Sequence, residues 1–147
     1  MPGQPGRGAV SDVDALRALA QRYSRAIDAR DMDALTALFD PAGSVDGARG
    51  SSSVPDYLEM TRTSPRVFEQ SMHVLGDPLI DFVEGSDTAH LDTYAVVYQL
   101  GRVEAGATAG GGDMVLGIRY LDDVVRIDGD WRLHHRRAVM LWSRDKI

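Results

Sequence analysis

The sequence predicts an α+β domain in which amino-terminal helices pack inside a strongly curved, mostly antiparallel sheet. Three observations point to it. Apolar residues recur at three- and four-residue spacing through the first forty positions. From Met72 onward the pattern changes to long strand-like runs separated by turn residues. Those runs are broken by Gly and Pro, which bend a sheet and let it close over helices as a cone with an interior pocket.

Ser11 can cap the first helix, and Asp12 and Asp14 favour its positive end. Val13, Leu16, Leu19, Ala20, Tyr23 and Ile27 form one apolar stripe, and the helix is expected to end near Ala29 or Arg30. Asp31 can cap a short second helix running through Phe39, stopped by Pro41 and Gly43. Residues 44–53 read as a short strand or turn and then a loop. Pro55 suits the first turn of a third helix ending near Arg62, with a further turn possible through Phe68. One strand is expected within 72–84, kinked at Gly76 and Pro78, and a long one over 88–100 between Gly85 and Gly101. A glycine-rich hairpin loop over 105–113 leads to a strand over 114–127, a tight turn at Asp128-Gly129-Asp130 and a last strand from Trp131 to Trp142.

A chain of 147 residues suits one compact domain, placed at 11–147 behind a Pro/Gly-rich tail, 1–10, expected to be disordered. There is no cysteine, so disulfides and Cys-ligated metals are excluded. The net charge of −6 argues against nucleic acid as a partner. No apolar run is long enough to span a bilayer and no signal peptide opens the chain, so no membrane association and a cytoplasmic location are expected. His134 and His135 are adjacent and point opposite ways on a strand, so with His90 they make a poor metal set, and none is expected.

Four segments then carry a family resemblance: Tyr23-x4-Asp28, the run from Asp31 to Phe39 written D-x-D-A-L-x-x-L-F, a strand histidine at His73, and G-x-W-R-L-x-x-R from Gly129 to Arg136. In this order and spacing they resemble the SnoaL-like branch of the nuclear transport factor-like superfamily, from about Val13 to Trp142. The resemblance implies a cone-shaped α+β barrel, often a homodimer through the outer face of its sheet. It also implies cofactor-independent dehydratases, dehydrochlorinases, isomerases or polyketide cyclases acting on a hydrophobic polycyclic or polyketide-like small molecule. By position, it places an Asp–His dyad at Asp28 and His73, with Tyr23 one turn earlier and Arg136 on the last strand.

Each of these residues has a plainer reading. Asp28 alone reads as a solvated residue near a helix end; a buried carboxylate there needs a partner, which His73 would supply. Asp28 would fix the His73 tautomer and leave the other ring nitrogen as a general base. His73 alone reads as a structural histidine, although Met72 and Val74 should face away from it. Tyr23 reads equally as a core ring or as a donor to a developing oxyanion. Arg136 could stabilise an enolate; strict alternation puts Arg132, His134 and Arg136 on one face, and a slip of one residue would bring Arg137 inward instead. Tyr57, Met60, Phe68, Phe82, Tyr94, Tyr98, Met114, Met140 and Trp142 are the candidates for the pocket wall. Dehydration, isomerisation and cyclisation all begin with the same proton transfer and stay undivided. A ligand-binding protein or a dimeric interaction module on the same fold remains the alternative.

Overall fold

The computed structural model describes residues 10–103 and 112–145. The expected tail up to residue 9 and most of the glycine-rich loop lie outside the described residues. The elements run α1 (Asp12–Ala29), α2 (Met32–Ala37), β1 (Phe39–Gly47), β2 (Gly50–Ser53), α3 (Val54–Thr63), β3 (Phe68–Leu75), β4 (Leu79–Phe82), β5 (Thr88–Arg102), β6 (Met114–Ile127) and β7 (Asp130–Asp145). The mixed sheet is ordered β2-β1-β7-β6-β5-β3, with β4 also paired to β5. All its pairings are antiparallel except β1 with β7.

The helix starts follow their caps. The side chains of Ser11, Asp31 and Ser53 accept from the backbone N–H groups of Asp14, Ala34 and Asp56. Arg30 takes a left-handed conformation, φ 52°, and ends α1. The apolar stripe buries Leu16, Leu19, Ala20, Tyr23 and Ala26, whereas Val13, in the first turn, is exposed and Ile27 is half-buried. Against this stripe stand Ala89, Leu91, Ala95, Tyr120, Val124 and Leu133 from the sheet.

Several boundaries differ from the sequence reading. Phe39 begins β1 rather than ending α2, because its ring is needed in the core at 1% exposure and its backbone in the ladder with Leu133. Residues 44–53 form a β1–β2 hairpin. Phe68 begins a strand, and Gly76 and Pro78 divide two strands instead of kinking one. At the β6–β7 turn Asp128 and Gly129 both have positive φ, the requirement of a type I′ turn.

Strand β7 carries two bulges against β6. His134 is an extra residue opposite Asp123 and Val124, and Leu141 is another opposite Gly117 and Ile118. The first bulge brings the His134 carbonyl so close to Gly43 that a Cβ there would lie 2.0 Å from its oxygen. Gly43→Ala is therefore expected to cost about 1–3 kcal/mol, as overpacking does. Gly47→Ala, with open space around it, is expected to stay within about 0.5 kcal/mol of wild type; urea unfolding compares the two.

Candidate active site

The last turn of α1 reaches β3, the edge strand of the sheet, at Asp28. An edge strand presents unpaired N–H groups, and Asp28 takes one of them: its Oδ2 accepts from the His73 backbone N–H at 2.8 Å. Its other oxygen, Oδ1, lies 2.6 Å from His73 Nδ1. Only a protonated Nδ1 can donate to a carboxylate, so the contact selects that tautomer and leaves the Nε2 lone pair free. The His73 side chain keeps 10% of its surface exposed. Burial lowers its pKa below the ordinary 6.5; the Asp28 hydrogen bond and charge pull the other way without cancelling the effect, and the Arg136 charge lowers it further. Imidazole is therefore neutral at neutral pH.

Both residues line a cavity of about 400 Å³, together with Ile27, Thr61, Phe68, Ser71 and Gln99. Arg30 and Arg66 stand at the same cavity, and both guanidinium groups bond to backbone carbonyls, those of Thr61 and Ser64 for Arg30 and that of Glu69 for Arg66.

Tyr23 and Arg136 belong to a different layer. Tyr23 is 6% exposed, and its hydroxyl is 2.9 Å from that of Tyr57 on α3. Its ring meets Phe39 and Tyr120 edge-on. The Arg136 guanidinium lies 3.9 Å from the Tyr23 ring centre and 4.2 Å from that of Tyr120. Its Nε and Nη2 donate to the two oxygens of Asp122, at 2.7 and 2.8 Å, while Nη1 is buried without a protein partner. Neither Tyr23 nor Arg136 is among the residues lining the cavity of Asp28 and His73. Burial, reinforced by the neighbouring Tyr23, holds the Tyr57 pKa well above 10, so this hydroxyl stays protonated.

Arg136 does face inward, but through the His134 bulge and not through the strict alternation predicted. Trp131 and Leu133 already point to the core, and without the extra residue Arg137 would have followed them.

Several expected wall residues are elsewhere. On β5 the inward residues are Ala89, Leu91, Thr93, Ala95 and Val97, so Tyr94, 60% exposed, and Tyr98 project from the outer face. Tyr94 pairs there with Arg119, and Tyr98 with Met72 and Val115. Trp142 packs over Gly117 and borders an outer hollow with Val115, Ser143 and Arg144. Met60, Met114 and Met140 do not line the cavity of Asp28 and His73, and Met140 is half exposed; Phe82 packs edge-on against Trp131 in the core. Of the proposed wall, Phe68 lines that cavity and Tyr57 lies in the layer beneath. Ser71 and Gln99, which line it, were not anticipated, although they share the strand parity of His73 and Val97.

The remaining histidines each meet one aspartate: His90 with Asp123 at 2.6 Å, His134 with Asp40 at 2.8 Å, His135 with Asp46 at 3.3 Å. Among the described residues no group of three His, Asp or Glu side chains is arranged to hold a metal. Among them, too, no helix is long and apolar enough to cross a membrane.

No curated protein matches the chain in sequence. Solved structures do. A candidate scytalone dehydratase from Novosphingobium aromaticivorans DSM 12444 aligns at 23% identity and TM-score 0.72, covering 90% of this chain and 86% of that one. The hexachlorocyclohexane dehydrochlorinase LinA-type3 from Novosphingobium barchaimii LL02 aligns at 16% identity and TM-score 0.73, covering 89% and 87%. Rv3472 from Mycobacterium tuberculosis, a protein of unknown function, aligns at 26% identity and TM-score 0.69, covering 86% and 74%. These likenesses share the helices-in-curved-sheet architecture, and a SnoaL-like domain model matches residues 8–137. The chain belongs to the SnoaL-like domain family, within the nuclear transport factor-like fold.

Proposed function

We propose that the protein is a cofactor-independent lyase or isomerase in which His73, oriented by Asp28, removes a proton from a carbon next to an activating group of a hydrophobic polycyclic or polyketide-like small molecule. The observation that carries this reading is the 2.6 Å contact between Asp28 Oδ1 and His73 Nδ1 at the wall of an open cavity. A neutral imidazole with one nitrogen engaged by a carboxylate is a competent base at the other. The C–H electron pair passes into the substrate and the proton passes to Nε2. Return of that proton to a different carbon completes an isomerisation; its delivery to a departing hydroxyl completes a dehydration. Arg136, sealed beneath the cavity by Tyr23 and Tyr120, acts through its field on His73 and not as a contact to substrate. The dehydratase and dehydrochlorinase among the structural relatives support the same class of chemistry.

Deuterium incorporation from D2O into 2-tetralone, followed by NMR, tests the reading. Wild-type protein is expected to accelerate exchange at the carbon beside the carbonyl, and an absence of acceleration would count against it. The rate should also carry a pH signature. The His73 pKa is lowered, so the base stays neutral as pH falls past 6.5 and is lost only below that value. The acid limb of the rate profile is expected below pH 6.5, with a plateau through neutrality. Stability follows the same sign: the unfolded chain takes the proton first, so the contribution of His73 is full above about pH 6.5 and lost as pH falls through the folded pKa.

We further propose a homodimer through the outer sheet face, where Met72 at 53% exposure, Val74, Tyr94 and Trp142 are uncovered. Sedimentation equilibrium should return twice the chain mass, and Tyr94→Lys should shift it toward monomer.

A further inference from the structure

A carbon base needs a partner for the charge that develops next to the carbon it deprotonates. Arg136 does not provide one in the cavity, because it is buried and bound through two nitrogens to Asp122. Two other side chains are placed for it. Ser71 lies two residues before His73 on β3, so both side chains stand on the same sheet face, about 7 Å apart. Gln99 is the direct cross-strand partner of Ser71 on β5, which puts the two Cβ atoms about 5 Å apart. Both residues are half-buried and both line the cavity of Asp28 and His73. Neither side chain makes a hydrogen bond to another described residue.

That combination is informative. A carboxamide and a hydroxyl on an inward sheet face usually find protein partners, since an unmet polar group there is costly. These two are held open to the cavity beside the base. The lining also gives no reason to expect a charged ligand. Glu69 and Asp28 are balanced by Arg30 and Arg66, and each of those arginines already donates to a backbone carbonyl. Donors without net charge suit a neutral oxygen that gains charge during reaction.

We infer that Ser71 and Gln99 form an oxygen-binding subsite, and that the substrate is a neutral carbocycle bearing a carbonyl or an enolic hydroxyl. This rests on the general-base reading and names the substrate feature that makes the proton removable. As the C–H bond breaks, its electron pair moves into the new C=C bond and the carbonyl π pair moves onto oxygen. The proton goes to His73 Nε2. The enolate oxygen accepts from the Gln99 side-chain N–H and the Ser71 O–H. The spacing fits, since a ketone's oxygen and the α-carbon it acidifies are both bonded to the carbonyl carbon, and the Ser71–Gln99 pair is the next pair on the same sheet face as the His73–Val97 pair.

The test uses 2-naphthol, a stable planar enol, against naphthalene, which has the same rings without oxygen. Binding of each is followed by NMR titration of the full-length protein. Wild type is expected to bind 2-naphthol about tenfold more tightly, the worth of two modest net hydrogen bonds. The Ser71→Ala/Gln99→Leu double variant should lose that preference while keeping its affinity for naphthalene and its melting temperature. His73→Ala should retain the preference. The inference is overturned if wild type fails to bind 2-naphthol or binds both compounds equally. It is also overturned if the preference survives in the double variant or vanishes in His73→Ala. The base reading is judged separately: no wild-type deuterium exchange, with the naphthol preference intact, would remove that reading and leave the subsite standing.

Discussion

Replacing His73 with alanine is expected to lower turnover by about 10²–10⁴-fold, the span that a positioned general base contributes. The effect should fall on kcat, because the ring acts on the proton in flight and little of the ligand's binding surface is lost. Deuterium incorporation into 2-tetralone gives the rate, and the naphthalene affinity checks that the cavity persists. Asp28→Asn makes a useful companion. The amide oxygen can accept from one of the two His73 donors that Asp28 serves, the backbone N–H or Nδ1–H, but carries no charge. It should therefore slow exchange while costing less stability than Asp28→Ala, which leaves both donors unmet. Unchanged exchange in His73→Ala would mean the proton is taken elsewhere.

The second large effect is on stability. Arg136 and Asp122 are almost wholly buried, with side chains 3% and 0% exposed. Removing one partner leaves the other charge in the core. Asp122→Ala is expected to destabilise the protein by about 3–5 kcal/mol, read from urea midpoints at constant m. Replacing both residues by apolar ones of similar size, Asp122→Leu with Arg136→Met, should recover most of that loss, because the desolvation of both ions is removed together. A double variant as unstable as the single one would instead assign the pair a packing role that leucine and methionine cannot fill. Such a result would also weaken the view of Arg136 as a sealed charge acting at a distance.

Helix starts were legible because Ser11 and Asp31 can cap exposed amides and Pro55 suits a first turn, and the long strands because turn residues bound them; the Ser53 cap of α3 emerged only with the structure. The juxtaposition of Asp28 with His73 was legible only through the resemblance to the SnoaL-like family, since neither residue is distinctive alone. What the sequence hid was strand phase. The stretch from Tyr94 to Tyr98 on β5 is apolar on both faces, so alternation within it did not reveal that Ala95 and Val97 are inward and Tyr94 and Tyr98 outward; the phase is carried by His90 and Asp92 earlier in the strand. The large aromatic rings drew attention, yet on β5 the residues packed in the core are Ala89, Leu91 and Ala95 rather than Tyr94 and Tyr98. On β7 the phase is reset by an extra residue at His134, a backbone event with no side-chain signature; the glycine that accommodates it, Gly43, is on another strand. Ser71 and Gln99 were overlooked for a related reason: polar residues on a strand read as solvent-facing until the sheet is seen to curve around a cavity.

Asp28 holds His73 as a neutral base with its Nε2 lone pair free. Nitrogen-15 NMR of histidine-labelled protein, titrated from pH 8 downward, addresses it most directly. The expected spectrum shows a His73 ring protonated at Nδ1 and bare at Nε2 through neutrality, with a midpoint below 6.5 that disappears in His73→Ala. A His73 that is already an imidazolium at pH 7, or one that carries its proton on Nε2, would contradict it.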